Sequence, residues 1–144
     1  MNLTPLQAVR DFYNSLAPGR RQELMELLDP HVVLEVPAGF PGGGGTFRGL
    51  KAYIEDFLYG LYGTFDVDFP VDEYIEAGEN VIALGRQRGR VLSNGAEIDV
   101  PFCHIWTVRH GNLIRGRMFT DTGLLCCAVE GAASSPSATS GNRP

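Results

Sequence analysis

Residues 100–123, VPFCHIWTVRHGNLIRGRMFTDTG, constrain this chain more than any other stretch. β-Branched and aromatic residues stand on both sides of His110, Gly111 and Asn112, the pattern of two strands joined by a glycine turn. The first strand carries Cys103, His104 and Trp106, and the second runs through Arg115, Arg117 and Phe119 to Asp121. An imidazole, a thiol, two guanidiniums and a carboxylate beside apolar rings exceed what packing requires. They read as the wall of a pocket.

The rest of the chain supplies helices first and strands later. Thr4, Pro5 and Gln7 make a capping-box start with proline at the first helical position, and Leu6, Val9, Phe12 and Leu16 follow at helical spacing, predicting a helix over 5–16. A second short helix is expected over 20–28, ended by Asp29 and Pro30, and a strand over 32–37. AGFPGGGG, 38–45, holds neither helix nor strand, because each glycine costs backbone entropy and proline lacks a donor. It reads as a mobile lid and not as a phosphate loop, since GGGGTFRG has neither the lysine nor the hydroxyl of that motif. Leu50, Tyr53, Ile54, Phe57, Leu58 and Leu61 predict a third helix over 50–62. Phe65, Val67, Phe69 and Val71 alternate in a strand interrupted by Pro70, and strands over 81–91 and 100–109 follow.

Helices gathered before a run of antiparallel strands imply an α+β fold, with three helices covering a curved antiparallel sheet and a cone-shaped cavity between them. At 144 residues, with 44% hydrophobic and 20% charged side chains, the chain suits one globular domain. That domain is expected over 1–131. AASSPSATSGNRP, 132–144, is too poor in apolar residues to fold and reads as a disordered tail.

A net charge of -5 opposes docking on nucleic acid and on anionic membranes. The N-terminus lacks a signal-peptide pattern, no apolar run is long enough to span a membrane, and the cytoplasm is the expected compartment. Three cysteines, two of them adjacent at Cys126 and Cys127, give no disulfide framework and no zinc spacing. Catalysis, if present, would use no metal and no cofactor.

AVRDFYNSL in the first helix, LDPHVVLEVP, TFRGLKAYIEDF and above all FCHIWTVRHGNLIRGRMFTDT follow one another in a familiar order. In this the chain resembles the SnoaL-like polyketide cyclases of the NTF2-like superfamily, which also holds ketosteroid isomerases and limonene epoxide hydrolases. The resemblance covers roughly residues 6–128. It implies a cone-shaped, cystatin-like α+β barrel, commonly a homodimer through the outer sheet face. It also implies an acid-base Asp at the end of the last strand, the position of Asp121. Val36, Cys103 and Phe12 stand where ketosteroid isomerases carry their base, their oxyanion-hole Asp and their helix-one Tyr, so steroid isomerisation by that mechanism is not expected. The epoxide hydrolases' Arg-x-Asp is also missing after Arg86, Arg88 and Arg90.

The candidates follow. Asp121 at a pocket wall would have its pKa raised by burial and exchange protons near neutrality; its plain alternative is a cap on the segment after it, or a partner for Arg117. His104 is the candidate proton shuttle. Strand alternation sets it opposite Cys103, so it faces either the pocket or the dimer interface. Trp106 shares its face and its two alternatives. Tyr13, Phe40, Tyr53 and Phe57 would surround a polycyclic guest, with core packing as the alternative. Cys103, Arg117 and Phe119 complete the expected wall, with Arg117 able to hold an enolate if turned inward. Glu35 is expected at the solvent side of an edge strand, with a second buried acid as the alternative. The implied function is cofactor-independent acid-base cyclisation or isomerisation of a small, apolar, polyketide-like carbonyl substrate. An epoxide-opening hydrolase and a non-catalytic ligand-binding module are the alternatives.

Overall fold

The computed structural model describes residues 2–131; the expected tail, 132–144, lies outside the described residues. Helix α1, Pro5–Asn14, starts as its capping box dictates: Thr4 accepts from the Gln7 amide, and the Gln7 side chain accepts from the Thr4 amide. It buries Ala8, Val9 and Phe12. Helix α2, Arg21–Leu27, runs directly into strand β1, Leu28–Val36. A short strand β2, Gly45–Arg48, follows the glycine loop and pairs antiparallel with β1. Sequence reading gave this strand no place, because two of its four residues carry no strand preference.

The third helical stretch begins on schedule but changes pitch. Ala52–Leu58 is π-helical and α3, Tyr59–Thr64, is regular. Over seven residues the apolar spacing cannot distinguish the two windings, since both bury Tyr53, Ile54, Phe57 and Leu58 on one side. The expected strand around Pro70 divides into β3, Phe65–Asp68, and β4, Val71–Ala77, and both pair with the same edge of β5, Asn80–Val91. The chain crosses from one to the other against Gly85, where a Cβ would meet the Pro70 carbonyl oxygen at 2.3 Å.

Strands β6, Glu97–Arg109, and β7, Asn112–Thr120, form the expected hairpin around His110 and Gly111, both at positive φ. The sheet order is β2-β1-β7-β6-β5-β3, with β4 also on β5. The expectation of a wholly antiparallel sheet is corrected at one seam, because β1 pairs parallel with β7. The three expected helices also become four. LLCCAVEG belongs to α4, Thr122–Glu130, which packs on β6, buries Leu125 and ends at Gly131 in the left-handed region. The α+β cone is the architecture found: α1, the π-helical segment and α3 lie over the concave face of the sheet. Among the described residues no helix is long and apolar enough to cross a membrane.

Candidate functional site

Alternation along β6 sends Phe102, His104 and Trp106 into the cone and Cys103, Ile105 and Thr107 outward. Across the hairpin, a one-residue bulge decides which β7 side chains join them. Arg109 pairs with Asn112 and Val108 with Leu113, but Thr107 pairs with Arg115, so Ile114 is the extra residue. Without it His104 would face Arg117. With it His104 pairs with Met118 and Trp106 with Gly116, while Arg115, Arg117 and Phe119 turn to the outer face. Gly116 is needed there, because a Cβ would lie 2.4 Å from Trp106 Cζ3.

The indole held over Gly116 begins a directed hydrogen-bond chain. Trp106 Nε1 donates to the Tyr13 hydroxyl at 3.0 Å, and that hydroxyl lies 2.7 Å from His104 Nδ1. Indole nitrogen can only donate, so Tyr13 Oη accepts from Trp106, and the hydroxyl proton finds a partner at His104 Nδ1 in the tautomer that carries the imidazole proton on Nε2. We assign that tautomer, which leaves only Nε2 unpaired in the chain of three. His104 is 5% exposed, and Nε2 has no protein partner. Burial pushes the His104 pKa from 6.5 down to about 3, so the ring is neutral at physiological pH. The same desolvation raises the Tyr13 phenol well above its usual value, the Trp106 bond opposing it only in part. The His104 ring stacks on Phe102, with centroids 3.9 Å apart.

His104 lines a small cavity of about 30 Å³ together with Phe12, Tyr53, Phe57, Phe69, Met118 and their neighbours. That is room for about two water molecules. Tyr13, Leu16, Tyr62 and Phe69 also line an open groove of about 720 Å³ that continues to Asp66, Asp68, Pro70 and Tyr74. The site therefore has a wide aromatic vestibule and a narrow inner socket, and His104, whose Nε2 is unpaired, stands in the socket's wall. Burial, aided by Asp68, pushes the Tyr62 pKa up to about 12.

The structure thus brings together Tyr13, Tyr53, Phe57, His104 and Trp106 from the expected set. Phe40 is buried and packs on Phe57 at 5.8 Å, but it borders a separate crevice of about 80 Å³ with Pro41, Gly42 and Gly43. The glycine loop accordingly does not border the vestibule, against the expectation of a lid there. Cys103, Arg117 and Phe119 do not line the cavity; they lie on the outer sheet face, where the bulge and the alternation put them. Asp121 is exposed and accepts the Leu124 amide at 3.0 Å as the N-cap of α4. The expectation of a carboxylate shielded at the strand end is not met. Glu35 bonds Arg115 Nε at 2.7 Å, and Asp99 bonds Arg86, both on exposed surface. Tyr62, Phe69, Asp66, Asp68 and Met118 were not among the expected site residues. Only Met118 was within reach, through the hairpin register, and then only with the bulge known.

This half-barrel of curled sheet and covering helices is the NTF2-like, cystatin-like fold. The chain superposes on an NTF2-like protein from Burkholderia thailandensis with a TM-score of 0.80 and 29% identity, covering 88% of this chain and 97% of that one. An NTF2-like protein of unknown function from Burkholderia pseudomallei gives 0.80 and 26%, over 87% and 96%. A putative SnoaL-like polyketide cyclase from Jannaschia gives 0.75 and 21%, over 87% and 90%, a likeness of fold. No curated protein matches the chain significantly. The family model for the SnoaL-like domain matches residues 9–116, and the chain belongs to that family.

Proposed function

We infer that the chain is a tailoring enzyme that activates a carbonyl substrate in the socket, with His104 as the group that touches the carbonyl oxygen. One observation carries the reading: a buried, neutral imidazole, bonded through Tyr13 to Trp106, keeps an unpaired Nε2 and lines a cavity that shares Tyr13, Leu16, Tyr62 and Phe69 with an aromatic groove. A buried unsatisfied donor costs about 1–3 kcal/mol, which a guest oxygen recovers on binding. In the reaction, the substrate's α-C–H proton passes to a carboxylate while the bond's electron pair forms an enolate. The enolate oxygen accepts from Nε2–H, as in other sites where a neutral imidazole polarises a carbonyl. Asp66 is paired with Arg90 at 3.3 Å, and Asp68, exposed on the groove wall opposite Arg88, is the carboxylate we assign as proton acceptor. Aldol ring closure and double-bond isomerisation both start from this step.

Its test is exchange of the methyl protons of 2-acetylnaphthalene in heavy water, followed by proton NMR. The wild-type chain accelerates the exchange, His104→Phe loses at least about ten-fold of the acceleration, and Asp121→Asn keeps it. Equal exchange by wild type and His104→Phe overturns the reading. The small size of the socket favours a second reading, a ligand carrier without turnover; in that case the ketone binds and its exchange stays at the solution rate.

Two further features fit this picture. Ile82, Leu84, Cys103, Ile105 and Phe119 form a half-exposed apolar patch on the outer sheet face, suited to a homodimer. Phe119→Glu would then halve the mass seen by sedimentation. Cys103, Cys126 and Cys127 are free thiols, in keeping with a reducing, cytoplasmic compartment.

A further inference from the structure

Socket and groove differ in size by more than an order of magnitude, and this difference limits what the protein accepts. A space of about 30 Å³ takes the leading carbonyl of a guest and not its rings. The rings must lie in the groove of about 720 Å³, against Tyr13, Tyr62, Phe69 and Tyr74. The charged side chains lining that groove are both carboxylates, Asp66 and Asp68. Arg90 partly neutralises Asp66, and Arg10 stacks on the Tyr74 ring at 5.3 Å without lining the groove. No salt bridge reaches Asp68 among the described residues.

Resting on the reading of His104 given above, we propose that the site selects flat aromatic ketones whose trailing end is uncharged or cationic and rejects those whose trailing end is anionic. The leading oxygen meets a neutral N–H donor, and the far end meets tyrosine faces and the Asp68 carboxylate. A trailing ammonium gains from both, whereas a trailing carboxylate meets like charge. The discrimination resides in the vestibule and the affinity for the carbonyl in the socket, so the two are separable.

Calorimetric titration of the full chain with three 2-acetylnaphthalenes tests this, the ring bearing hydroxymethyl, aminomethyl or carboxylate at its far position. In low salt the carboxylate binds at least about five-fold more weakly than the hydroxymethyl compound, and the aminomethyl compound binds at least as well as it. High salt narrows the gap, and Asp68→Asn, alone or with Asp66→Asn, brings the carboxylate within about two-fold of the neutral compound. A carboxylate that binds as well as the neutral ketone, a preference unmoved even by Asp68→Asn combined with Asp66→Asn, or no binding by any of the three overturns the proposal. His104→Phe separates it from the catalytic reading: all three ketones weaken while their ranking persists. If they keep their wild-type affinities, the role of His104 fails and the vestibule's selectivity stands.

Discussion

The inward face of β6 and the far end of β7 belong to one hairpin and carry the two groups best suited to acid-base chemistry, yet they meet opposite surroundings. His104 is desolvated, stacked and bonded through Nδ1, with its other nitrogen unpaired and its ring in the wall of a cavity. Asp121 is in water and capping a helix. Residue chemistry therefore does not select the functional group here. The side of the sheet on which a residue emerges does, and a single bulged position sets that side for every β7 residue beyond it.

The largest break in this contrast comes at Gly116. Gly116→Val drives a side chain into the Trp106 indole, and we expect a loss of about 3 kcal/mol in urea denaturation; stability within about 0.5 kcal/mol of wild type would show that the indole is not held there. Next is Tyr13→Phe, which strips Trp106 Nε1 and His104 Nδ1 of their common partner. It should cost about 2 kcal/mol. It should also release the fixed tautomer, seen as altered ring-nitrogen shifts of His104 in NMR, while unchanged shifts would break the chain of donors inferred for Trp106, Tyr13 and His104.

The burial of His104 carries a pH signature of its own. Its folded pKa lies below the unfolded 6.5, so above that value both states are neutral and no slope arises. As pH falls below 6.5 the unfolded chain takes up a proton that the folded chain refuses until about pH 3. Stability is lost on the order of 1 kcal/mol per pH unit across that window. His104→Phe should remove this share of the slope between pH 6.5 and 4.5, and a slope identical to wild type would mean that the ring is hydrated. The smallest effect belongs to the exposed end. Asp121→Asn should stay within about 0.5 kcal/mol of wild type, because Asn caps a helix as well as Asp, whereas Asp121→Ala should lose about 1 kcal/mol. A large loss of ketone exchange in Asp121→Asn would reverse the contrast between the two ends.

Much of this molecule was legible in its residues. The capping box at Thr4, the apolar stripe from Leu50 to Leu61, the turn at His110 and Gly111, and the alternation of β6 are local patterns whose periods name their own elements. Alternation alone placed His104 and Trp106 together, opposite Cys103. It left open which side was the cavity, since that depends on where α1 and the π-helical segment dock.

The amino-acid order by itself determined α1, α2, the start of the third helix, β5 and the β6–β7 hairpin, their sequence along the chain, and the apolar faces that carry Tyr53 and Phe57, because short-range spacing fixes helix faces and strand faces. The bulge at Ile114, the parallel seam between β1 and β7, and the vestibule built from Tyr62, Asp68 and Phe69 were decided only in three dimensions. Each depends on contacts between residues far apart in sequence, and an insertion of one residue reverses every face beyond it without leaving a trace in composition or period.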